Sequence, residues 1–283
     1  PEGKKSQQGK KPGGKKTGSK KLGGKKQAVD APRGKSSFTM NPFDVVLLGV
    51  DTSEPAPGTE LHMLLHKHRI EMPLEQDMLN SISTDGIEHA ITTAKLWLPA
   101  GMTLRGKVLM QEEQVLTAID GRRRTLHVRH LCEKAGDKDG KKKSFALPVW
   151  PPKTGWTVRE LAGLAVKLNE TSRHDDILQK AEQAKIMLAC TQDKAWVASQ
   201  FNVDVQTVDG WFKLRGEAAP AVIDAAKSQR GGIKASAATR LTRLPPSKQI
   251  EVMEDAIATG KTSAKQIDGL VRFVTSVARD RPR

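Results

Sequence analysis

The sequence predicts an α+β protein: a disordered tail over residues 1–40, a small α/β domain over 41–153 and an all-helical domain over 154–283. Three observations predict this. The tail has almost no large apolar residues, so it cannot form a core. Apolar, β-branched runs alternate with helical patterns in the first domain. After Gly155 the apolar periodicity is helical throughout.

The tail carries most of the charge excess. Of the formal net charge of +15, residues 1–36 contribute +10, from twelve Lys or Arg against two acidic residues. Lysine pairs are separated by Gly, Ser, Thr, Gln and Pro, and this segment cannot bury enough apolar surface to offset the entropy of ordering. We expect a mobile polycation that attracts nucleic-acid phosphate. A solubilising tail, an acidic membrane surface and an acidic protein remain the alternatives.

The composition argues against several classes. No run of eighteen apolar residues occurs, and the charged N-terminal segment has no apolar stretch behind it, so we expect neither a membrane span nor a secretory signal. Two cysteines, Cys132 and Cys190, cannot make a disulfide framework or a cysteine-rich zinc site. Reduced thiols in a cytoplasmic protein are expected. Three histidines between residues 62 and 68 lack the accompanying ligands of a known metal pattern.

Local patterns predict the elements of the α/β domain. Strands are predicted at DVVLLGV (44–50), HAITTAKLWL (89–98), QVLTAID (114–120) and FALPVWPP (145–152), and helices at LEQDMLNSIS (74–83) and RRRTLHVRHL (122–131). The following domain is predicted to begin with helices at TVRELAGLAVKLNE (157–170) and DILQKAEQAKIMLAC (176–190), with further helices over 216–274.

Residues 194–214 fit a helix-turn-helix motif. Ala198 occupies the position where the two helices cross closely, and Asn202 tolerates the left-handed turn between them. Asp204 can cap the second helix. The positions that must be apolar to hold the crossing angle are filled by Val203, Val208 and Trp211. A packed helical hairpin without a DNA-binding role is the alternative.

If the motif is correct, the second helix enters the major groove of double-stranded DNA. Gln206 suits adenine, and Thr207 suits phosphate or a thymine methyl. Lys213 or Arg215 suits backbone phosphate. Gly210 lowers helix propensity, so we expect another element to approach closely there. Each polar side chain has the alternative of being a solvated surface position.

Four segments in order resemble sequence boxes of the ParB family of partition and nucleoid-binding proteins, especially phage- or plasmid-type members, over roughly residues 68–272. They are LNSISTDGIEHAI (79–91), similar to the SI…G…QPI box; AIDGRRRTLHVRHL (118–131), similar to the GERRxxA phosphate box; LNETSRHDD (168–176), similar to the ENxxR box; and the helix-turn-helix with the segment that follows it (233–268). The chain departs from these boxes at several positions: His89 and Ala90 replace Gln and Pro, Arg122 replaces Glu, His127 replaces Ala and Leu168 replaces Glu.

The resemblance implies a ParB/sulfiredoxin-like N-terminal domain that binds CTP. The implied nucleotide-binding residues are Gly86, Gly121, Arg122, Arg123, Arg124, Asn169 and Arg173. A glycine followed by three arginines at a helix start suits a triphosphate, because backbone N–H groups and guanidinium groups both bind phosphate. DNA phosphate contact or a plain basic surface is the alternative. We expect replacement of Arg123 and Arg124 by alanine to abolish CTP binding and to spare folding.

In the family, a Glu-Asn pair helps to hold magnesium. Here Asn169 and, in place of the glutamate missing at position 168, Glu170 are the candidate Mg²⁺ ligands. Weak CTP hydrolysis is left open, and no catalytic residue is assigned.

We therefore expect a sequence-specific DNA-binding protein with a CTP-sensing domain, acting in partition, replication or regulation of phage or plasmid DNA. It is expected to be cytoplasmic and associated with nucleoid or phage DNA, and a homodimer and a partition ATPase partner are left open. Two alternatives remain. One is a metal-dependent nuclease, for which the candidate carboxylates are Asp85, Asp120, Asp175 and Asp176. The other is an architectural protein that coats DNA without sequence preference.

Overall fold

The structure, a computed structural model, describes residues 37–142, 145–172 and 175–279. These fall within one compact unit, Ser36–Arg283. They are mostly helical with few strands. The predicted tail up to residue 36, and the predicted nucleotide ligand Arg173, lie outside the described residues. The division into two domains at residue 153 stays a prediction.

The strands of the described residues form antiparallel pairs. They are β1 (Phe38–Met40) with β6 (Leu147–Val149), β2 (Thr92–Leu98) with β5 (Glu113–Asp120), and β3 (Thr103–Leu104) with β4 (Lys107–Val108). The helices are α1 (Lys67–Ile70), α2 (Gln76–Asp85), α3 (Arg122–Lys134), α4 (Val158–Ser172), α5 (Ile177–Thr191), α6 (Lys194–Gln200), α7 (Val205–Glu217), α8 (Pro220–Ser228), α9 (Ala235–Leu241), α10 (Pro246–Ala258) and α11 (Ala264–Arg279). A 3₁₀ turn at Glu60–Leu64 precedes α1.

The ends of three strands meet at the start of α3. Thr92, the first residue of β2, lies opposite Asp120, the last residue of β5. Ile91 forms a parallel bridge with Val149, the last residue of β6. Only one residue separates β5 from α3. The strand pairs therefore place the end of β5, the end of β6 and the start of β2 side by side, next to the first turn of α3.

Three hydrophobic clusters hold these elements together. The largest packs β2 and β5 against α4–α7 and includes Leu96, Ile119, Ala162, Met187 and Trp211. The second joins β1 and β6 to α2 and α3 through Ile82, Val128, Leu147 and Val149. The third packs the C-terminal helices through Leu214, Leu241, Met253 and Ile267. One core therefore connects the strands to the α6–α7 helix pair.

The predicted strand at residues 44–50 is wrong. Residues 45–48 are buried, but the run forms turns with one isolated parallel bridge between Val46 and Thr117. Val46 makes two backbone hydrogen bonds to β5: its N–H donates to the Leu116 carbonyl at 2.7 Å, and its carbonyl accepts the N–H of Ala118 at 3.0 Å. Side chains satisfy other backbone groups of the run, because Asp51 accepts the Leu47 N–H at 2.7 Å and Arg129 donates to the Val45 carbonyl at 2.6 Å. The other predicted strands and the helices at 122–131, 157–170 and 176–190 are confirmed, with ends shifted by a few residues.

Within residues 37–142, 145–172 and 175–279, no helix has the length and apolar character needed to cross a bilayer.

Candidate nucleotide cavity and DNA-binding helix

A cavity of about 760 Å³ opens where the three strand ends meet α3. Five of the nucleotide-binding residues predicted from the sequence line it, namely Gly121, Arg122, Arg123, Arg124 and Asn169. Gly86, at the C-terminal end of α2, is not among the lining residues. The structure therefore brings together residues of the second and third sequence boxes and leaves the glycine of the first box apart from them.

Gly121 is required at the start of α3 for two reasons. Its φ is +85°, in the left-handed region that favours glycine. A Cβ atom at this position would also lie only 2.3 Å from Cγ2 of Ile91. Gly121 at the N-cap has no side chain that could cap α3, so the first turn of the helix presents a positive helix end beside the cavity. Such an end favours an anion.

Arg122 is a buried cation, only 5% exposed. Its Nη2 donates to the Leu64 carbonyl at 3.0 Å. Burial lowers the pKa of Arg122 to about 10, with Asp120 opposing this and Arg69 adding to it. The guanidinium is therefore still charged at neutral pH. Its buried Nε has no hydrogen-bond partner among the described residues, and an unmatched buried donor costs free energy that a polar ligand can recover.

Arg123 and Arg124 hold the chain segments that border the cavity. Arg123 donates to the carbonyls of Met72 and Pro73, at 3.0 and 2.8 Å, just before α2. Arg124 donates to the carbonyl of His89, at 2.5 Å, just before β2. It also pairs with Asp120 at 2.8 Å. The expectation that both arginines can be replaced without effect on folding does not fit these contacts, because each guanidinium anchors a loop.

The cavity lining is cationic on balance. Among the described residues, four arginines line it, Arg69 and the three at the start of α3. Three of them pair with carboxylates: Arg69 with Asp175, Arg123 with Glu75 and Arg124 with Asp120. The remaining positive charge, that of Arg122, favours an anionic ligand together with the helix end.

Asn169 connects the cavity to a buried histidine. Its Nδ2 lies 3.3 Å from Nδ1 of His66, which is fully buried. Burial lowers the pKa of His66 well below its usual value, and the nearby charge of Arg122 adds to this effect. His66 is therefore neutral at pH 7. We assign Asn169 as the donor to Nδ1, which leaves the histidine proton on Nε2.

The two predicted magnesium ligands are consecutive residues of α4. Glu170 pairs with Lys180 at 2.8 Å and is not among the cavity-lining residues, whereas Asn169 lines the cavity. The pair therefore does not present two ligands to one ion in this geometry. The magnesium assignment stays a prediction, and no step below depends on it.

The carboxylates of the nuclease alternative also have structural contacts. Asp120 pairs with Arg124, and Asp175 pairs with Arg69. Asp176 caps α5 through the N–H groups of Leu178 and Gln179. In the part of the chain that the structure describes, no group of three or more His, Cys, Asp or Glu is arranged to hold a metal.

His127 holds the loop before α2 as a neutral imidazole. Its Nδ1 lies 2.7 Å from the Arg123 carbonyl, and its Nε2 accepts the N–H of Glu75 at 2.9 Å. This arrangement needs the proton on Nδ1 and a lone pair on Nε2. Burial lowers the pKa of His127, so the folded protein prefers the neutral form.

Mild acid should therefore destabilise the protein through His66 and His127. Below pH 6.5 the unfolded chain binds protons at these histidines and the folded chain does not. The free energy of unfolding therefore decreases as the pH is lowered. Between pH 7.5 and 5.5 we expect a loss of about 1 kcal/mol for the fully buried His66, and a further loss for His127. Urea unfolding at both pH values measures the total. His66→Gln should reduce the pH dependence. Equal pH dependence in His66→Gln and the parent would contradict the assignment.

The α6–α7 pair has the local geometry that the sequence predicts. Asn202 has φ +54°, and Oδ1 of Asp204 accepts the N–H of Thr207 at 2.6 Å, which caps α7. Trp211 is buried with its ring edge-to-face against Phe201, at 5.2 Å between centroids. Ala198 and Val208 are also buried at the crossing. The assignment of this pair as a DNA-binding motif stays a prediction.

Of the four predicted DNA contacts, Gln206, Lys213 and Arg215 are exposed. Gln206 and Lys213 are seven residues apart, so they lie on one face of α7. Thr207 is half-buried, and Arg215 pairs with Glu182 of α5. The structure therefore leaves one polar face of α7 open and turns Arg215 toward a neighbouring helix.

Another element packs closely against Gly210, as was expected at that position. A Cβ atom added there would lie 3.1 Å from Cγ2 of Thr239 in α9, so the glycine allows α7 and α9 to pack closely.

Several cavity residues were missed by the sequence reasoning. They are Arg69, Glu75, Met78, Thr92 and Trp150. They come from separate segments, and no local spacing relates them to α3. The one available signal was Trp150, a large aromatic residue inside the predicted strand 145–152 and directly before Pro151.

Among the solved structures that resemble this chain are two of one chromosome-partitioning protein. Neither a protein-family model nor a curated protein matches the chain. The C-terminally truncated chromosome-partitioning protein ParB from Caulobacter crescentus, complexed to the centromeric parS site, is 13% identical with a TM-score of 0.47, over 83% of this chain and 99% of that chain. The same truncated protein complexed with CTP-gamma-S is 14% identical with a TM-score of 0.24, over 77% and 98%. Because both TM-scores are below 0.5, the function proposed below depends on the residues of this chain.

Proposed function

We propose that this chain is a ParB-like, sequence-specific DNA-binding protein whose N-terminal domain binds CTP. The observation that carries the proposal is the cationic cavity at the start of α3, which is lined by residues of three family-like sequence boxes. The exposed face of α7 supplies the second part of the proposal.

The phosphates of the nucleotide bind at the first turn of α3. Backbone N–H groups at a helix start and guanidinium groups are both strong phosphate donors. Gly121 lets the backbone turn into the helix without a side chain in the way. Arg122 supplies a buried positive charge with a donor left unmatched by the described residues. Asn169, on α4, also lines the cavity.

The DNA part of the proposal places α7 in the major groove. Gln206 then reads adenine through its amide, and Lys213 contacts backbone phosphate. Thr207 contacts phosphate or a thymine methyl. Arg215 adds a phosphate contact only if it leaves Glu182.

The proposed role is in partition, replication or regulation of phage or plasmid DNA, in the cytoplasm. The lysine-rich residues 1–36 add affinity that does not depend on DNA sequence. A palindromic bound sequence would indicate a homodimer. A partition ATPase is left open as a further partner.

Two measurements on the full chain test the proposal. In vitro selection from random double-stranded DNA should enrich one motif, and calorimetric titration should show CTP binding that changes the affinity for that motif. A featureless selected pool would contradict sequence-specific reading. Absence of binding to CTP would contradict the nucleotide assignment. Magnesium-dependent cleavage of plasmid DNA that Asp120→Ala abolishes would favour the nuclease instead.

A further inference from the structure

Trp150 lies beside the start of α3. It follows β6, and its backbone N–H donates to the carbonyl of Ile91 at 2.9 Å. Ile91 in turn lies directly against Gly121, whose added Cβ would meet it at 2.3 Å. Trp150 is therefore about one strand spacing, roughly 5 Å, from the residue that lies against the helix start. It is half-buried and lines the same cavity.

The cavity has an apolar part as well as a cationic one. Met78, Leu168 and Trp150 line it together with the arginines. Its volume of about 760 Å³ lies within the range of roughly 300–1,000 Å³ typical of small-molecule sites. A triphosphate chain has no apolar surface to place against these three side chains. The apolar wall therefore suits a second, flat part of the ligand.

The other tryptophans have positions away from this cavity. Trp97 and Trp156 are 59% and 42% exposed. Trp196 lies under the guanidinium of Arg159 at 4.4 Å, and Trp211 packs against Phe201. Of the five tryptophans in the chain, Trp150 alone lines the cavity in the described residues.

We propose that Trp150 is the stacking platform for the nucleobase of the ligand whose phosphates bind at the start of α3. This inference rests on the proposed nucleotide function and adds a residue that none of the sequence boxes contains. An indole face stacks on any base, so Trp150 supplies affinity, while hydrogen bonds to the base edge select which base binds.

Calorimetric titration of the full chain and of Trp150→Ala tests the inference, with CTP and inorganic tripolyphosphate as the two ligands. Loss of one base stack should weaken CTP binding by about 5- to 100-fold. Tripolyphosphate carries no base, so its affinity should stay within about twofold of the parent value. Trp97→Ala, at an exposed site away from the cavity, is the matched control and should change neither affinity.

Fluorescence gives a second readout that does not depend on the alanine variant folding. CTP should quench tryptophan emission in the parent and in Trp97→Phe. The quench should disappear in Trp150→Phe, which keeps an aromatic ring and should retain most of the CTP affinity.

The outcomes separate this inference from the proposed function. If the parent binds CTP and Trp150→Ala binds it equally well, the stacking assignment is wrong and the nucleotide function stands. Equal weakening of CTP and tripolyphosphate would show a merely structural role for Trp150 and would also overturn the assignment. If the parent binds neither ligand, the proposed function fails and the inference fails with it. Quenching that persists in Trp150→Phe would contradict the assignment even if Trp150→Ala does not fold.

Discussion

Replacing Gly121 with alanine should destabilise the protein by about 3 kcal/mol and abolish nucleotide binding. The backbone φ of +85° is unfavourable for any residue with a Cβ. The added atom would also lie 2.3 Å from Cγ2 and 2.8 Å from Cβ of Ile91, which is fully buried. Either Ile91 or the first turn of α3 must shift. A shift of that turn moves the N–H groups that are proposed to hold the phosphates.

Gly106→Ala is the matched control. Gly106 has φ +80°, but nothing lies within 4 Å of an added Cβ, and the residue sits between β3 and β4 away from the cavity. It should cost about 1 kcal/mol of backbone strain and leave nucleotide affinity unchanged. Urea unfolding and calorimetric titration measure both quantities. A Gly121→Ala protein that matches Gly106→Ala in stability and still binds CTP would refute the phosphate site at this turn.

Combining Gln206→Ala with Lys213→Glu should weaken binding to the selected DNA motif by about 100-fold or more. The two side chains share the exposed face of α7. The two substitutions together therefore remove a base contact and reverse a charge beside the phosphates. Singly, they should act differently. Gln206→Ala should relax sequence preference at one base position, whereas Lys213→Ala should weaken all sequences alike and reduce the salt dependence.

Lys185→Glu provides the same change of charge at an exposed position of α5 and should have little effect on DNA affinity. Affinities are measured by titrating labelled DNA at two salt concentrations, because phosphate contacts depend on salt. If Lys185→Glu weakens binding as much as Lys213→Glu, the long-range positive charge of the chain accounts for binding and α7 has no special role. Unchanged sequence preference in Gln206→Ala would show that this residue does not read a base.

Much of the local structure could be predicted from the sequence because its causes are local. The periodic apolar positions of α3, α4 and α5 predict helices at nearly the observed bounds. The turn at Asn202 and the cap at Asp204 depend on side chains within three residues, so they too are readable from the chain. The sequence predicted a close approach at Gly210, but it did not indicate that the approaching element would be α9.

The arginines at the start of α3 show what could not be predicted. Three consecutive arginines suggest an exposed basic patch, yet Arg122 and Arg123 are buried. Their partners are main-chain carbonyls of Leu64, Met72 and Pro73, fifty or more residues earlier in the chain. Backbone carbonyls carry no sequence signature, so nothing in the local pattern indicates which of them a guanidinium will reach.

By itself, the sequence determined the helices, their caps, the polar face of α7 and the glycine that begins α3, since each follows from neighbouring residues. Only the tertiary structure decided that β2, β5 and β6 bring their ends to that glycine, that Glu170 pairs with Lys180 outside the cavity, and that Trp150 lines it. The physical reason is that a cavity forms from segments far apart in the chain. Their meeting depends on strand pairing and on one shared core, which no short stretch of residues specifies.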